Sequence, residues 1–416
     1  MELILINPPQ PYLVEKHTQT PLGILYISAV VKRDRPDVDV SVCDLSDCSE
    51  PIEVPDADVY GYTSTSLDYP ECVKLMETIR MEHPGSLHII GGSHATAMPF
   101  SCRDDGFDSV FIRESEKTIL EYIDDWMRVD TVEFYEADNL VDVCTLPWPD
   151  RDALGWTGGR ILASGNDRSA SLMASRGCPF NCAFCASALI WKRKMRWRSP
   201  ENVVAEMKHC IEKYNVTTFR FADDSMTSNR DWVQEFCKAV EPLGVRWQTN
   251  ERVDTVTIDL LKMMRDAGCV EIGYGVESFD PMVLKILGKK ISPEQSIRAV
   301  EMTFKTNIGV WLLMMISTPG ETYKHTVQCN SRALARLVGK FVRASCKTLM
   351  PLPGTPIWND PERFGVEILN RDFSTYNAYP YKPGPNGRPK LILCRNDVST
   401  GSFIRSHFTE RNQVYP

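Results

Sequence analysis

The 416-residue sequence predicts an α/β chain: a doubly wound, Rossmann-like N-terminal domain, then a partial (β/α)6 barrel and a short C-terminal segment. Three observations predict this. Short apolar runs alternate with stretches of helical spacing, in two separate series, which is the pattern of parallel sheets covered by helices. The rhythm breaks between the series, where LPWPDRD and TGG read as a linker. Three thiols also stand together directly after the first strand of the second series, the end of a barrel strand where chemistry is placed. The expected bounds are 1–128 for the first domain, 129–165 for the linker, 166–356 for the barrel and 357–416 for the tail.

Taken in order, LILINPP (3–9) is an apolar run closed by two prolines, so a buried strand ends there. Helical spacing follows over 22–32, then a strand at 38–45. DVYGYTSTS (58–66) is a strand, 69–83 a helix, 86–92 and 109–115 strands, and 116–127 a closing helix. In such a sheet ligands bind beyond the carboxyl ends of the strands, where GYTSTS and IIGG finish. The second series contributes six candidate strands: SLMASRG, TTFRFADD, VRWQTNER, EIGYGVES, VWLLMMIST and ASCKTLMPL. The tail from Gly354 is rich in proline and glycine and has little periodicity.

Composition narrows the function classes. Hydrophobic residues make up 43% of the chain, enough for more than one buried core. Acidic residues outnumber basic ones, 55 to 47, so no global basic field points to nucleic acid. The longest apolar run, Val310 to Ile316, is too short for a bilayer and reads as a buried strand. MELILINPP lacks the basic region and cleavage site of a signal peptide, and the fourteen cysteines are scattered, so the expected home is a reducing cytoplasm. WKRKMRWRS (191–199) interleaves cations with tryptophans. Against a phosphate clamp, the acidic net charge favours a solvated loop in which Arg198 caps local structure.

The chemistry concentrates in SRGCPFNCAFCAS, a C-x3-C-x2-C pattern of Cys178, Cys182 and Cys185. Three thiolates hold three irons of a cubane and leave the fourth open to an outside ligand. A structural zinc site wants a fourth protein ligand, and no obvious Cys or His stands nearby, so iron–sulfur is favoured over zinc. Glycine and proline around Cys178 suit a loop that wraps a bulky group. The other cysteines form no second group of three, which argues against an auxiliary cluster.

These motifs, with Phe184 before the last cysteine, resemble the radical S-adenosylmethionine (SAM) superfamily. FADDSMTSN (221–229), NERVDTVTIDLLKMMRDAGCVEIGYGVESF (250–279), STPGET (317–322) and PLPGTP (351–356) follow in the expected order. INPP, PLGILYISAVV, GYTSTSL, IIGGSHATAMP and FIRESEKTIL make residues 1–128 similar to the cobalamin-binding domain of the class B, cobalamin-dependent subgroup. The resemblance implies a [4Fe–4S] cluster, SAM and cobalamin as cofactors. It implies that Asp223 or Asp224 meets the SAM ammonium, the alternative being a helix N-cap. It puts Glu277 on the ribose hydroxyls and Arg252 on the SAM carboxylate or on Glu277, with a purely structural salt bridge as the alternative. Gly273 and Gly275 ease close packing of a strand. Ser64, Ser66, Gly91 and Gly92 are small enough to admit a corrin and its nucleotide tail.

The chain departs from the family's pattern at one point. NPPQPYL stands where a cobalt-binding histidine motif is usual, so cobalt lacking a protein histidine below it is expected. His17 and His94 are the nearby imidazoles, and a lone loop histidine is expected to face solvent. The implied activity is radical methylation of an unactivated carbon in a small or medium-sized substrate, with electrons from a flavodoxin or ferredoxin. Radical rearrangement or cyclisation on the same cofactors is the runner-up. A non-catalytic SAM- or corrinoid-binding regulator is the third reading.

Overall fold

The structure, a computed structural model, describes residues 1–10, 20–48, 53–155, 168–368, 371–373 and 394–395. His17 and part of the linker lie outside these residues. The chain divides into two compact units. The first is Met1–Arg160 with Leu189–Lys192 and Asp372–Pro389; the second is Ile161–Ala188, Arg193–Arg371 and Lys390–Pro416. No helix among the described residues is long and apolar enough to cross a membrane.

The first unit alternates β1 (Glu2–Asn7), α1 (Leu22–Asp34), β2 (Asp39–Asp44), β3 (Val59–Ser64), α2 (Tyr69–Glu82) and β4 (Leu87–Gly92). Two short helices, α3 (Ser93–Ala97) and α4 (Pro99–Asp104), lead to β5 (Ser109–Ile112), α5 (Thr118–Arg128) and β6 (Phe134–Glu136). The six strands form one parallel sheet in the order β2-β1-β3-β4-β5-β6. Strand alternation divides its side chains between two cores. Ile4 and Ile6 pack with Tyr60, Tyr62, Leu75 and Ile79 on the α2 side, while Leu3 and Leu5 pack with Ile24, Val31, Ile119 and Tyr122 on the α1 and α5 side. Each such side chain, fully buried, stabilises the unit by about 1.5–3 kcal/mol.

The second unit begins with β7 (Ser169–Leu172), β8 (Ser175–Arg176), α6 (Ser187–Trp191) and β9 (Arg196–Trp197), β8 and β9 pairing as a short antiparallel hairpin. Then come α7 (Pro200–Tyr214), β10 (Thr218–Phe221), α8 (Arg230–Val240), β11 (Arg246–Glu251), α9 (Ile258–Asp266) and β12 (Cys269–Glu277). The series ends with α10 (Pro281–Ile286), α11 (Pro293–Lys305), β13 (Gly309–Ile316), α12 (Tyr323–Leu337), β14 (Arg343–Thr348) and α13 (Pro356–Asn359). The main sheet is parallel and open, in the order β14-β13-β12-β11-β10-β7. All six anticipated barrel strands are present. Helix boundaries follow local chemistry: Ser199 accepts from the Asn202 N–H and Pro200 opens α7, while Ser292 and Gln295 form a reciprocal capping box on α11.

Three expectations need correction. The segment after residue 128, read as linker, contributes β6, so α5 does not close the first unit. The stretch read as one strand, SLMASRG, is broken into β7 and β8. His94 does not face solvent: it is wholly buried in α3, stacked on Tyr69 at 3.9 Å, with Nδ1 2.9 Å from the Ser66 hydroxyl. Burial brings its pKa down to about 4, so the ring is neutral at physiological pH.

Gly92 ends β4 at φ +100° and ψ −169°, a region that only glycine occupies readily. A Cβ there would lie 2.5 Å from the Ser64 carbonyl oxygen. Gly92→Ala is expected to destabilise the first unit by about 1–3 kcal/mol or more, from backbone strain alone. Thermal unfolding followed by circular dichroism checks this, and an unchanged melting profile would contradict it.

Candidate functional site: a three-thiol loop at the carboxyl ends of the sheet

The thiol loop leaves β8 through Gly177, whose φ of +112° and close approach to the Lys194 carbonyl leave no room for a side chain. Cys178 and Cys185 are partly exposed and Cys182 is buried. The loop between them is pinned from distant parts of the chain. Ala183 donates its N–H to the Leu287 carbonyl at 2.9 Å, and its own carbonyl accepts from the Ile357 N–H at 3.1 Å. Ala183, Val283, Leu287, Leu349 and Ile357 form an apolar cluster with Phe184 and Met315 against it.

The donor set suits an iron–sulfur cubane. The three thiols stand on one short loop beside an apolar cluster, and the N–H groups of Phe180 and Ser187 are hydrogen-bonded to the sulfurs of Cys178 and Cys185. Such N–H contacts are among the features that tune clusters. Burial pushes the Cys178 thiol up, and Cys185 up to about 12, so in the metal-free protein these thiols hold protons that iron must displace. Arg252 supplies the nearby cation: its Nη1 lies 3.9 Å from the Cys182 sulfur and its guanidinium stacks 3.6 Å over the Phe180 ring.

The predicted residues divide by what they touch. Asp223 is buried and clasped to the chain. One oxygen accepts from the Ser175 N–H and hydroxyl at 2.5 Å, the other from the Ala174 N–H at 3.0 Å. Those bonds tie the turn from β7 into β8 to the segment that follows β10. Burial raises its pKa to about 6 against the pull of these donors. Asp224 instead accepts from the Ser187 hydroxyl at 2.6 Å, two residues beyond Cys185. Neither acid caps a helix; Asn229 does that for α8.

Of the alternatives for Arg252, pairing with Glu277 does not occur, and a salt bridge within the chain does. Arg252 makes a two-pronged ion pair with Asp254, both bonds at 2.9 Å, and donates to the Lys289 carbonyl at 2.8 Å. Glu277 pairs with Lys289 at 2.7 Å. A register shift at the end of β12 and a φ of +61° turn Glu277 back over Gly275, where a Cβ would lie 2.9 Å from both its Oε1 and the Lys289 Nζ. Gly275 is therefore small to make room for this ion pair. Lys289 went unassigned in the sequence; its signal is the GKK that follows the GYGVES motif. Arg198 is buried rather than solvated, 2.6 Å from Glu206 and bonded to the Met173 carbonyl, so it braces the base of the loop.

In the first unit a small cleft opens at the carboxyl ends of β1 and β3, where the strand order reverses. Asn7, Gln10, Thr20, Gly23, Ser64 and Asp68 help line it. This switch point is where doubly wound sheets take their ligands. Of the four small residues singled out there, Ser64 lines the cleft and Ser66 is bonded to His94. Gly92 is fixed by the backbone of Ser64, and Gly91 packs toward Phe111 and Ser115. The cleft mixes polar side chains and small residues with an apolar wall of Pro21, Leu22 and Ile24, which fits the tail of a nucleotide-bearing cofactor.

Two outcomes are expected from these contacts. Asp223→Ala removes three hydrogen bonds to a buried carboxylate and loosens the strand that enters the loop. Reconstituted protein should then retain substantially less iron and sulfide than wild type, and full occupancy would show that the clasp is dispensable. Arg252→Met removes a positive charge beside Cys182 and should make the reduction potential more negative, because cations favour the more negatively charged, reduced cluster. An electron paramagnetic resonance redox titration checks the sign.

Comparison with known proteins agrees with this geometry. The family model for the Radical SAM superfamily matches residues 172–329, and that for the B12 binding domain matches residues 14–123. An uncharacterized methyltransferase of Pyrococcus horikoshii is 27% identical, over 86% of this chain and 82% of that protein. An anaerobic magnesium-protoporphyrin IX monomethyl ester cyclase of Cereibacter sphaeroides is 28% identical, over 76% of this chain and 54% of that protein. In fold, the chain is similar to the radical SAM methyltransferase TsrM of Kitasatospora setae, solved with cobalamin and a [4Fe–4S] cluster bound. That similarity has a TM-score of 0.68 at 16% identity and covers 86% of this chain and 73% of the other. Two family models matching in this order, each on a unit with the appropriate parallel sheet, give the chain a B12-binding domain ahead of a radical SAM domain.

Proposed function

We propose that this enzyme is a cobalamin-dependent methyltransferase that uses radical chemistry on an unactivated carbon of a small or medium-sized substrate. The observation that carries this reading is the pinned three-thiol loop at the carboxyl ends of a parallel sheet, in a chain that also has a B12-binding domain. The methyltransferase names of the Pyrococcus and Kitasatospora proteins support it. When bound, the cluster supplies the electron that cleaves SAM, and cobalamin supplies the methyl group.

The protein's own residues take the remaining tasks. Cys178, Cys182 and Cys185 hold three irons and leave one open for the amino and carboxylate groups of SAM. Asp224, fixed by Ser187, is the acid of its pair that meets the SAM ammonium; Asp223 is the brace behind it. Glu277, held by Lys289, accepts from the ribose hydroxyls. Arg252 keeps a positive charge against the middle thiol. The cleft with Ser64 on its wall receives the cobalamin tail. NPPQPYL holds no histidine and His94 is enclosed between Tyr69 and Ser66, so neither would offer an imidazole to a bound cobalamin.

A flavodoxin- or ferredoxin-type donor supplies the electron, and the free thiols throughout the described chain suit a reducing cytoplasm. The cyclase name of the Cereibacter relative keeps radical cyclisation as the second reading. Protein reconstituted with iron, sulfide and cobalamin, then incubated with a reductant and SAM deuterated on its methyl group, separates the two. Both readings release 5′-deoxyadenosine. A methyltransferase also releases S-adenosylhomocysteine and passes the deuterated methyl group to the protein-bound corrinoid, whereas a cyclase forms no S-adenosylhomocysteine and leaves the corrinoid unlabelled. Cys182→Ala should lose the cluster and, with it, all 5′-deoxyadenosine.

A further inference from the structure

We propose that His325 and Cys329 on α12, backed by Asp280 at the start of α10, bind a divalent transition-metal ion, with zinc the ion their donors suit best. The site uses none of the residues assigned above to the cluster, SAM or cobalamin. It therefore stands or falls apart from the radical reading.

Sequence spacing brings the two metal donors together. His325 and Cys329 are four residues apart on a helix, so they lie on one face of α12, one above the other. His325 Nε2 is 3.9 Å from the Cys329 sulfur. Zinc bonds of about 2.3 Å to sulfur and about 2.0 Å to nitrogen put two tetrahedral ligands about 3.5 Å apart. A small side-chain adjustment closes the difference. Helical zinc motifs use the same spacing for their paired histidines.

The third residue comes from another element. Asp280 follows β12, and its Oδ1 caps α10 by accepting from the Met282 N–H at 2.9 Å. Its Oδ2 accepts from the Thr326 hydroxyl at 2.6 Å and lies 2.9 Å from His325 Nδ1. A carboxylate at Nδ1 keeps the ring proton on that nitrogen, which leaves the lone pair on Nε2, the atom nearer the sulfur. The carboxylate is itself held in place: on α12, Asn330 accepts from the Phe279 N–H at 2.8 Å, one residue before Asp280. Donor atoms of all three residues come within 4.8 Å of one another.

Burial divides the tasks. The Asp280 side chain is 1% exposed and that of His325 is 58% exposed, so an ion can arrive from solvent while the acid that orients the ring is shielded. Asp280 already has the Met282 N–H and the Thr326 hydroxyl as donors, so the contact with His325 serves to fix the ring. A thiolate and an imidazole suit zinc and poorly suit magnesium or calcium. Burial and the Asp280 charge push the Cys329 thiol up while Arg332 pulls it down, so the ion displaces a proton there. Water or a donor from another molecule completes the coordination shell.

The test is titration of zinc into the full-length protein with its cluster reconstituted, so that the thiols of the loop are occupied. A competing chelator reports affinity, and X-ray absorption at the zinc edge reports the ligands without interference from iron. One zinc with one sulfur neighbour is expected. His325→Ala and Cys329→Ser should each weaken binding by about tenfold or more. Asp280→Asn keeps a good helix cap but loses the charge behind the ring, and should weaken zinc by about tenfold or more with the sulfur neighbour retained. Zinc should raise the melting temperature of the wild type and leave that of Cys329→Ser unchanged. Zinc without a sulfur neighbour, or undiminished affinity in both His325→Ala and Cys329→Ser, would overturn the proposal. So would loss of iron as zinc binds, which would put the ion on the thiols of the loop. Undiminished affinity in Asp280→Asn would overturn the role given to the acid.

Discussion

The clasp of Asp223 on Ala174 and Ser175 is the interaction on which the functional end of the second unit depends. A carboxylate in the core is costly unless donors surround it, and here three donors do so. The same bonds hold the chain where it passes from β7 into β8, just before Gly177 and Cys178. The interaction is electrostatic in origin, but its product is geometric. The first cysteine leaves a fixed point, and the next two are placed by Leu287 and Ile357.

Around that loop, charges are arranged in closed pairs, with few exceptions. Arg252 is held by Asp254, Lys289 by Glu277, Arg198 by Glu206 and Arg343 by Glu271. Each pair immobilises a long side chain that would otherwise swing through the space a cofactor needs. In a low-dielectric setting a paired charge also acts as an oriented dipole that need not reorganise when electrons or protons move.

The strand pattern was legible because both sheets are parallel and their inner strands, such as β1, β3 and β12, are largely buried, and buried strands read as apolar runs. The thiol loop was legible because its ligands lie within a few residues of one another. What escaped the sequence were relations between distant residues. Nothing local says that Glu277 turns back onto Lys289, because the turn depends on a register shift at the end of β12. Nothing local assigns Asp223 to structure and Asp224 to the loop, since the two are adjacent and alike and differ only in which way the chain faces them. β6 escaped because three residues at a sheet edge carry too little periodicity to stand out.

The anchors of the thiol loop lie far along the chain, at Asp223, Leu287 and Ile357. All are C-terminal to it, so the loop cannot acquire its shape as it emerges from a ribosome. Parallel pairing delays the sheet further, because each strand must await a crossover before it meets its neighbour. The nascent chain thus presents three unorganised thiols until its last strand is in place. Whatever delivers iron and sulfide therefore acts on a finished domain, and a chain truncated before Ile357 would lack one of the two backbone ties that shape the loop. Quality control of the metallocentre is in this sense built into chain order: the loop receives its final ties only after the sheet that will contain its radical chemistry exists.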